Sequence, residues 1–408
     1  MNNSQNSRLE YLDVVRALAL ILGVVFHASL SFVPIFIGWA VMDVSTSSAV
    51  AIFMLISHSF RMPLFFLLAG FFSHLAYYRY GKKAFFKSRL VRIGVPFLLG
   101  WMILRPLLVS SWVMGMESMQ GDVHIWPALI QGVHSLLELP SNLLVGTHLW
   151  FLYYLLMITA VVVSLRVILS LSSSVECNVK RCVAGASRWV SRSPFAVILL
   201  AVPCTAVLWH MDTWGLDTPD KSLLPLASVT VLYGFCFIVG WVLHSHIDML
   251  KHITKLRIST FVCACIAVIS CIHLSGYEWQ PAHEQYTMLK ALFLFTYAVM
   301  MWSLIVLSIG ICRRFINKPN ALLRYLSDAS YWIYLIHLPI VIWLQIAVAE
   351  IALHWLLKWL LVSGVTLAVS LVLYDILVRP TLIGRVLNGK RKRSFVSTRE
   401  KNRSLSDC

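Results

Sequence analysis

The sequence predicts an all-α integral membrane protein with about ten transmembrane helices and both termini in the cytoplasm. Three observations lead to this prediction. Of the 408 residues, 59% are hydrophobic and only 13% are charged, whereas soluble domains are typically about 25% charged. The hydrophobic residues form long blocks that approach or fill the roughly 20 apolar positions needed to cross the hydrocarbon. Finally, Lys and Arg collect in alternate connections between these blocks.

Each apolar block predicts one helix. We expect helices near residues 11–33, 49–76, 92–112, 148–171, 195–211, 224–244, 258–275, 288–311, 329–350 and 355–378. The first block contains Asp13, Arg16 and His27, and no small-residue cleavage site follows it. We therefore expect it to remain as the first transmembrane helix and not to act as a cleaved signal peptide.

The net charge of +16 would suggest nucleic-acid binding in a soluble protein, but its distribution follows the membrane. Lys and Arg lie at the two ends and in the even-numbered connections, with six exceptions among the 34: Arg16, Arg61, Arg105, Lys221, Lys290 and Lys358. Cytoplasmic loops are the ones that retain Lys and Arg. Both ends and the even-numbered connections are therefore predicted to be cytoplasmic, and nucleic acid is not expected as a partner.

Residues 1–380 are predicted to form one multi-span membrane domain. Residues 381–408 follow as a basic tail that we expect to be disordered and to face anionic lipid. The nine cysteines form no CxxC or Cys/His pattern, so neither a metal site nor a structural disulfide is predicted. The longest outer connection, residues 113–147, is either an amphipathic surface helix that holds a polar substrate or an interfacial aromatic anchor around Trp126.

Ionisable side chains inside the membrane point to function, because each costs at least about 2.5–3.5 kcal/mol at a helix centre. The first helix carries Asp13, Arg16 and His27. The eleven steps from Arg16 to His27 span about 16 Å and about three turns, so both residues point to a similar face. Arg16 is predicted near the cytoplasmic mouth and His27 beyond the midplane, toward the outside.

Further polar residues lie in the second and ninth predicted helices. His58 and Arg61 precede Pro63, and His58 lies at a depth near that of His27, so a cavity shared by the two histidines is expected. His337 lies in the ninth helix. A purely structural role is the alternative for His58 and His337, since an intramembrane His often bonds a backbone carbonyl.

Two other candidates have structural alternatives as well. Arg16 can extend its side chain to the interface. Trp150, beside His148 at a predicted outer helix end, can belong to an aromatic belt.

Several motifs, taken together and in this order, resemble the acyltransferase-3 family of membrane acyltransferases from residue 8 to about residue 340. They are Arg8-x4-Asp13-x2-Arg16, Arg16-x10-His27, Phe65-Phe66-x3-Gly70, Arg89-x2-Arg92-Ile93-x2-Pro96, His148-Leu149-Trp150-Phe151-Leu152 and Ser330-Tyr331-Trp332-x-Tyr334-Leu335-x-His337-x-Pro339. The segment from His58 to Tyr80 resembles the glucan biosynthesis protein C branch, which is associated with succinylation of osmoregulated periplasmic glucans in Gram-negative bacteria.

The resemblance implies transfer of an acyl group from cytoplasmic acyl-CoA to a sugar hydroxyl on the periplasmic side of the bacterial inner membrane. The key His of the family corresponds to His27, the expected general base, and the key Arg to Arg16. Succinyl-CoA is the favoured co-substrate and periplasmic glucan the acceptor, with membrane lipids as the other partners and no bound cofactor or metal. Cations on the cytoplasmic side, among them Arg16, Arg89 and Arg92, would bind the CoA phosphates, although positive-inside charge alone also explains the last two.

A succinyl group would bring a second carboxylate into the membrane, and Arg61 and Arg105 are the unpaired cations expected to bind it. The remaining residues assigned to substrate binding are Asp13, His58, His148, Trp150 and His337. Two alternatives stay open. One is an O-acetyltransferase of surface polysaccharide or lipid-linked sugar; the other is a secondary transporter, against which no second half of the chain repeats the first. The sequence also leaves open direct transfer or an acyl-histidine intermediate.

Overall fold

The computed structural model describes residues 10–137, 147–219, 224–316 and 320–388. Within these ranges the chain is α-helical and contains no strand. The first helices are α1 (Glu10–Ser29), α2 (Ser48–Tyr80), α3 (Lys82–Arg89), α4 (Val95–Ser118), α5 (Ile125–His134), α6 (Trp150–Leu169), α7 (Ser173–Arg192) and α8 (Ala196–Leu208). They are followed by α9 (Ala227–Ser245), α10 (Ile247–Ile253), α11 (Ile258–Leu274), α12 (Tyr286–Phe315), α13 (Ala321–Val348), α14 (Trp355–Leu373) and α15 (Leu382–Asn388).

Nine helical segments of the described chain are long and apolar enough to cross a membrane. They comprise α1, α2, α3 joined to α4 by a π turn, α6, α9, α11, α12, α13 and α14. The remaining predicted crossing, near 195–211, corresponds to α8, an apolar helix of 13 residues. This is shorter than the roughly 20 residues that a full crossing needs. The prediction of an all-α integral membrane protein is confirmed.

Helices also lie outside the predicted crossings, in two connections and at the start of the tail. The connection 166–193 contains the 20-residue helix α7, which presents Val175, Val179 and Val183 beside basic residues. The connection 113–147 contains the short helix α5, on which Trp126 is exposed. The segment 382–388, expected as part of a disordered tail, forms helix α15; the basic run of residues 390–393 lies outside the described residues.

The chain divides into two compact units. Unit 1 comprises Met1–Ala19, Leu55–Phe86 and Trp150–Pro319. Unit 2 comprises Leu20–Met54, Lys87–Leu149 and Asn320–Cys408. Both units therefore combine segments that are distant in sequence, and α1 and α2 each contribute residues to both.

In unit 1, α2 and α9 pack with their backbones in contact at two glycines. A Cβ atom added to Gly70 would overlap the carbonyl oxygen of Phe237, and one added to Gly240 would overlap that of Leu67. Only glycine permits this approach, as at other interfaces between membrane helices that depend on small residues. The rings of Phe66 and Tyr233 stack at 4.3 Å beside this contact.

In unit 2, the loop between α1 and α2 packs on α4. A Cβ atom added to Gly115 would overlap the carbonyl oxygen of Ala40. The loop is also tied to α14 by a buried ion pair, with Lys358 Nζ donating to Asp43 Oδ1 at 2.7 Å. Burial raises the pKa of Asp43 above its ordinary value, and the hydrogen bond from Lys358 acts in the opposite direction. These contacts hold the loop, which contains Trp39, in place.

Candidate active site

Three histidines from distant parts of the sequence meet in unit 2. The rings of His27 and His337 lie 5.3 Å apart, and those of His148 and His337 lie 5.4 Å apart. His27 comes from α1 and His337 from α13, while His148 lies two residues before the start of α6. We call His27, His148 and His337 the histidine cluster. It brings together three residues that the sequence analysis selected separately.

The ring of His148 is oriented by a carbonyl that a proline releases. Pro339 lies inside α13 and has no N–H, so the carbonyl of Leu335, four residues earlier, lacks its helical donor. His148 Nε2 lies 2.9 Å from this oxygen. Because a carbonyl only accepts, Nε2 carries the proton, and in the neutral ring Nδ1 carries the lone pair. His148 Nδ1 is buried and has no hydrogen-bond partner among the described residues.

The ring of His337 is oriented in a similar way. Its Nδ1 lies 2.7 Å from the carbonyl oxygen of Tyr334, one turn earlier on α13. Nδ1 therefore donates, and the lone pair of the neutral ring is at Nε2. The Tyr334 hydroxyl in turn donates to the carbonyl oxygen of His148 at 2.7 Å. The cluster thus contains two imidazoles whose acceptor nitrogens are assigned by their backbone contacts.

The His27 ring packs on a tryptophan, and the His27 backbone is hydrogen-bonded at the end of α1. The indole of Trp39 stacks on the imidazole at 5.8 Å with an interplanar angle of 21°, and the edge of Trp112 lies 5.0 Å from Trp39. Gln345 connects these groups. Its amide oxygen accepts from Trp39 Nε1 at 2.8 Å, and its amide nitrogen donates to the carbonyls of His27 and Ala28.

These carbonyls belong to the last turn of α1, which a 3₁₀ turn (Leu30–Phe32) follows. Trp359 Nε1 binds the neighbouring carbonyl of Val25 at 2.9 Å. Gln345 itself is only 1% exposed. A buried amide that makes all three of these bonds fixes both the helix end that carries His27 and the aromatic face above its ring.

Thr147 precedes His148 in a left-handed backbone conformation, with φ at 49°. This region is unfavourable for a β-branched residue. Thr147 is 1% exposed, and its hydroxyl accepts from the Leu149 backbone N–H at 3.1 Å. Local strain is therefore present directly beside one member of the histidine cluster.

Arg16 and Asp13 lie in unit 1, on the earlier turns of α1. Arg16 Nη2 is 3.5 Å from Asp13 Oδ1, and its guanidinium is 5.9 Å from the centre of the Phe72 ring. The Arg16 side chain is 39% exposed. Arg16 is thus oriented by Asp13 and still accessible to a ligand, and both residues lie on the helix that carries His27.

His58 and Arg61 lie one turn apart on the part of α2 that belongs to unit 1. His58 Nε2 is 2.8 Å from the carbonyl oxygen of Leu216, which is the structural role that the sequence left as the alternative. Arg61 is 6% exposed and interacts electrostatically with His58 and Tyr233. The cavity predicted to be shared by His58 and His27 stays a prediction.

Arg105 is fully buried in unit 2, and the expectation that it is unpaired is wrong. Its Nε donates to the carbonyl oxygen of Ser135 at 3.4 Å, and its guanidinium lies 5.4 Å from the centre of the Trp101 ring. Ser135 follows the last turn of α5, where helical donors are lacking and a cation is favoured. Arg61 likewise has interaction partners, as described above.

The remaining predicted residues lie at helix junctions. Arg89 ends α3 and Arg92 lies in the π turn before α4, where its carbonyl accepts from the Tyr331 hydroxyl at 2.9 Å. Trp150 begins α6 and is only 8% exposed, because its ring stacks at 5.9 Å on that of Tyr233. This position in an aromatic cluster disfavours the membrane-belt alternative for Trp150.

Sequence reasoning missed the residues that hold the cluster: Trp39, Trp112 and Gln345. Gln345 carried a usable signal, because an amide in the apolar run of α13 needs a partner as a histidine does. Trp39 and Trp112 carried none, since tryptophan is common near membrane interfaces. Within the described residues, no group of three His, Cys, Asp or Glu side chains is arranged to hold a metal ion.

Comparison with known proteins agrees with the resemblance found in the sequence. A family model described as "Acyltransferase domain" matches residues 9–375. Glucans biosynthesis protein C of Escherichia coli O1:K1 / APEC is 27% identical over 406 residues, covering 96% of this chain and 97% of the relative. The protein of the same name from Salmonella heidelberg (strain SL476) is 26% identical over 398 residues, with the same coverage. No solved structure matches significantly.

Proposed function

Because the chain belongs to the acyltransferase-3 family, we propose that it transfers a succinyl group from cytoplasmic acyl-CoA to hydroxyls of a periplasmic glucan. The proposal places the protein in a bacterial inner membrane with both termini in the cytoplasm. This orientation requires an even number of crossings and therefore counts the short helix α8 as the tenth. The names of the relatives, which refer to glucan biosynthesis, support the acceptor. The positive-inside distribution of Lys and Arg supports the orientation.

The observation that carries the proposal is the histidine cluster with its assigned tautomers. A sugar hydroxyl that attacks a thioester loses a proton, and a neutral imidazole is the side chain best suited to accept it near neutral pH. We assign this role to His27. The acceptor nitrogens of His337 and His148 are suited to receive hydrogen bonds from the sugar hydroxyls and so to orient the acceptor.

The reaction balances without a further reactant. The acceptor oxygen forms a bond to the acyl carbon, the carbon–sulfur bond breaks, and the hydroxyl proton passes by way of His27 to the departing thiolate. Arg16, on the same helix and 39% exposed, is assigned to bind phosphate or carboxylate groups of the donor, with Asp13 as the group that orients it. Arg89 and Arg92 add positive charge for the CoA phosphates.

Transfer of radiolabelled succinyl groups from CoA to purified glucan, using the protein in membranes, tests the proposal. In His27→Ala we expect the rate to fall by about 10²–10⁴-fold, the usual contribution of a general base. His283→Ala is the matched control, because His283 is exposed and outside the cluster, and it should transfer at the normal rate. A folded His27→Ala protein with normal transfer would refute the assignment.

The same assay tests the donor. A succinyl group carries a second carboxylate, and we propose that Arg61 or Arg105 binds it, since both are buried cations. Loss of the cation should reduce succinyl transfer and leave acetyl transfer from acetyl-CoA nearly unchanged. If Arg61→Leu and Arg105→Leu both keep full succinyl transfer with the same preference over acetyl, neither residue selects the donor, and an O-acetyltransferase becomes the better description.

A further inference from the structure

A second cluster of reactive side chains lies in unit 1, apart from the histidine cluster. Its members are His74 on α2 and His244 and Ser245 at the end of α9. Gly70 and Gly240 precede His74 and His244 by four residues each, which is about one turn. The backbone contact at these glycines therefore brings the two histidines together, and it requires α2 and α9 to run in parallel.

Two hydrogen bonds join these residues into a chain. Ser245 Oγ lies 2.8 Å from His74 Nε2, and His74 Nδ1 lies 2.8 Å from His244 Nδ1. Two neutral assignments satisfy both contacts. In one, Ser245 donates to His74 Nε2 and His74 Nδ1–H donates to His244 Nδ1; in the other, both bonds are reversed. The short contact of the Ser245 hydroxyl with His74 favours the first. The other acceptor for the Ser245 proton, the Trp241 carbonyl, is farther away at 3.3 Å.

This order of groups is that of an activated nucleophile. A hydroxyl contacts a base, and a third group orients the base and accepts from its other nitrogen. The ring of His74 is further held by Tyr78, at 4.5 Å, and by the edge of Trp241, at 5.1 Å. The orientation of His74 is therefore set on several sides.

The Ser245 hydroxyl is accessible, and Tyr78, which packs on His74, is contacted by an arginine that also pairs with Glu176. Ser245 is exposed and is the last residue of α9. α2 has 33 residues, about 50 Å of helix, against a hydrocarbon thickness of about 30 Å. α2 is therefore longer than the hydrocarbon is thick, and its final two turns carry His74 and Tyr78. Arg166 Nε donates to the Tyr78 hydroxyl at 3.1 Å, which leaves the phenolic proton available for donation.

We propose that Ser245, His74 and His244 form a second reactive centre, at which Ser245 accepts an acyl group from an acyl thioester. Ser245 Oγ bonds to the acyl carbon while its proton moves to His74 Nε2. The carbon–sulfur bond then breaks, and the same proton passes to the departing thiolate. His244 positions His74 and shares the charge that forms on it. The choice of acyl-CoA as donor rests on the proposed function; the nucleophilic character of Ser245 does not.

Two probes applied to the full-length protein without glucan test the proposal. A fluorophosphonate reports an activated serine whatever the donor is, and radiolabelled succinyl-CoA reports the acyl-enzyme. We expect both to label Ser245, identified by peptide mass spectrometry, and labelling to be abolished in Ser245→Ala. In His74→Gln the labelling rate should fall by at least about 100-fold, the lower range for a general base.

Ser170→Ala is the matched control and should label normally. The Ser170 hydroxyl is exposed, and among the described residues it bonds only the Val167 carbonyl of its own turn. Ser245→Cys provides a second variant if the alanine protein does not fold, and its acyl adduct should become a thioester that neutral hydroxylamine cleaves. Absence of label on wild-type Ser245, or normal labelling of His74→Gln, would overturn the proposal.

The outcome is separable from that of the main transfer reaction. His27→Ala should retain labelling of Ser245 while losing glucan acylation. Fluorophosphonate labelling without any label from succinyl-CoA would overturn the acyl-CoA donor and show that Ser245 is reactive toward other acyl compounds. Glucan acylation at the wild-type rate in Ser245→Ala would show that Ser245 lies outside the main route.

Discussion

Single backbone carbonyls determine which nitrogen of each imidazole is available in the histidine cluster. Leu335 O fixes His148 through Nε2, and Tyr334 O fixes His337 through Nδ1. If either imidazole adopted the other tautomer, it would present an N–H at the position where the sugar hydroxyl needs a lone pair to donate to. At this scale, the residues that orient the rings are as important for the proposed chemistry as the rings themselves.

Gln345 is the residue for which this argument makes a sharp prediction. In Gln345→Leu, the end of α1 loses two donors and Trp39 loses its acceptor. We expect kcat for glucan acylation to fall about 10- to 100-fold, the effect of misplacing a catalytic group by about 1 Å. KM for the acyl donor should change little.

The control for this variant is Gln131→Leu, which removes an exposed amide on α5 and should leave kcat unchanged. Gln345→Glu keeps an acceptor for Trp39 and should recover part of the loss. A Gln345→Leu protein that melts at a lower temperature but keeps its kcat would show that Gln345 serves stability alone.

At the scale of elements, a proline frees a backbone carbonyl in one helix, and two glycines allow two other helices to approach closely. Pro339 leaves a carbonyl of α13 open for His148, and Gly70 and Gly240 allow α2 and α9 to touch. Proline in a helix interior usually costs about 3 kcal/mol. The hydrogen bond between His148 and the freed carbonyl of Leu335 offsets part of this cost.

Pro339→Ala restores a backbone N–H that competes with His148 for Leu335 O. We expect thermal stability in detergent to be unchanged or higher, because the helix regains a bond. Glucan acylation should fall about tenfold, the equivalent of one hydrogen bond of about 1–1.5 kcal/mol. Pro203→Ala, in the interior of α8, is the matched control and should not reduce acylation. Full activity in Pro339→Ala would contradict the assigned role of the carbonyl.

At the scale of the whole molecule, the proposed orientation places α7 in the cytoplasm. Cys177 and Cys182 on this helix are exposed. A membrane-impermeant maleimide should therefore label them in inside-out vesicles and not in intact spheroplasts. Trp126→Cys, at a 72% exposed position of α5, should show the opposite pattern. Labelling of Cys177 and Cys182 from outside would reverse the topology.

The fold was largely predictable from sequence because the membrane imposes its requirement locally. Each crossing needs its own run of apolar residues, and such runs are visible without knowledge of the partners. The exceptions follow the same logic. α7 lies in a charged connection, and its sequence is too polar to be predicted as a crossing. α8 is predicted as a crossing from its apolar sequence, but with 13 residues it is shorter than the nine long segments.

The candidate site was predictable only in part. His27 and His337 are selected because ionisable groups are costly in the membrane, and His148 through the motifs that resemble the acyltransferase-3 family. Their association was not predictable, since His27 and His337 are separated by 310 positions and meet only through packing. Gln345 carries no charge, so the cost of ionisable groups in the membrane does not single it out. Arg105 is expected from the sequence to be unpaired, but it donates to the backbone carbonyl of Ser135, a partner that no sequence pattern reveals.

The strained backbone of Thr147 favours a movement of the neighbouring His148. Holding a residue in an unfavourable backbone region costs of the order of 1–3 kcal/mol. The Leu149 N–H bond and the contact of His148 with Leu335 O oppose that strain. If an incoming sugar competes for His148, return of Thr147 to an extended conformation assists the release. Strain at Thr147 therefore lowers the free energy needed to move His148 away from the Leu335 carbonyl.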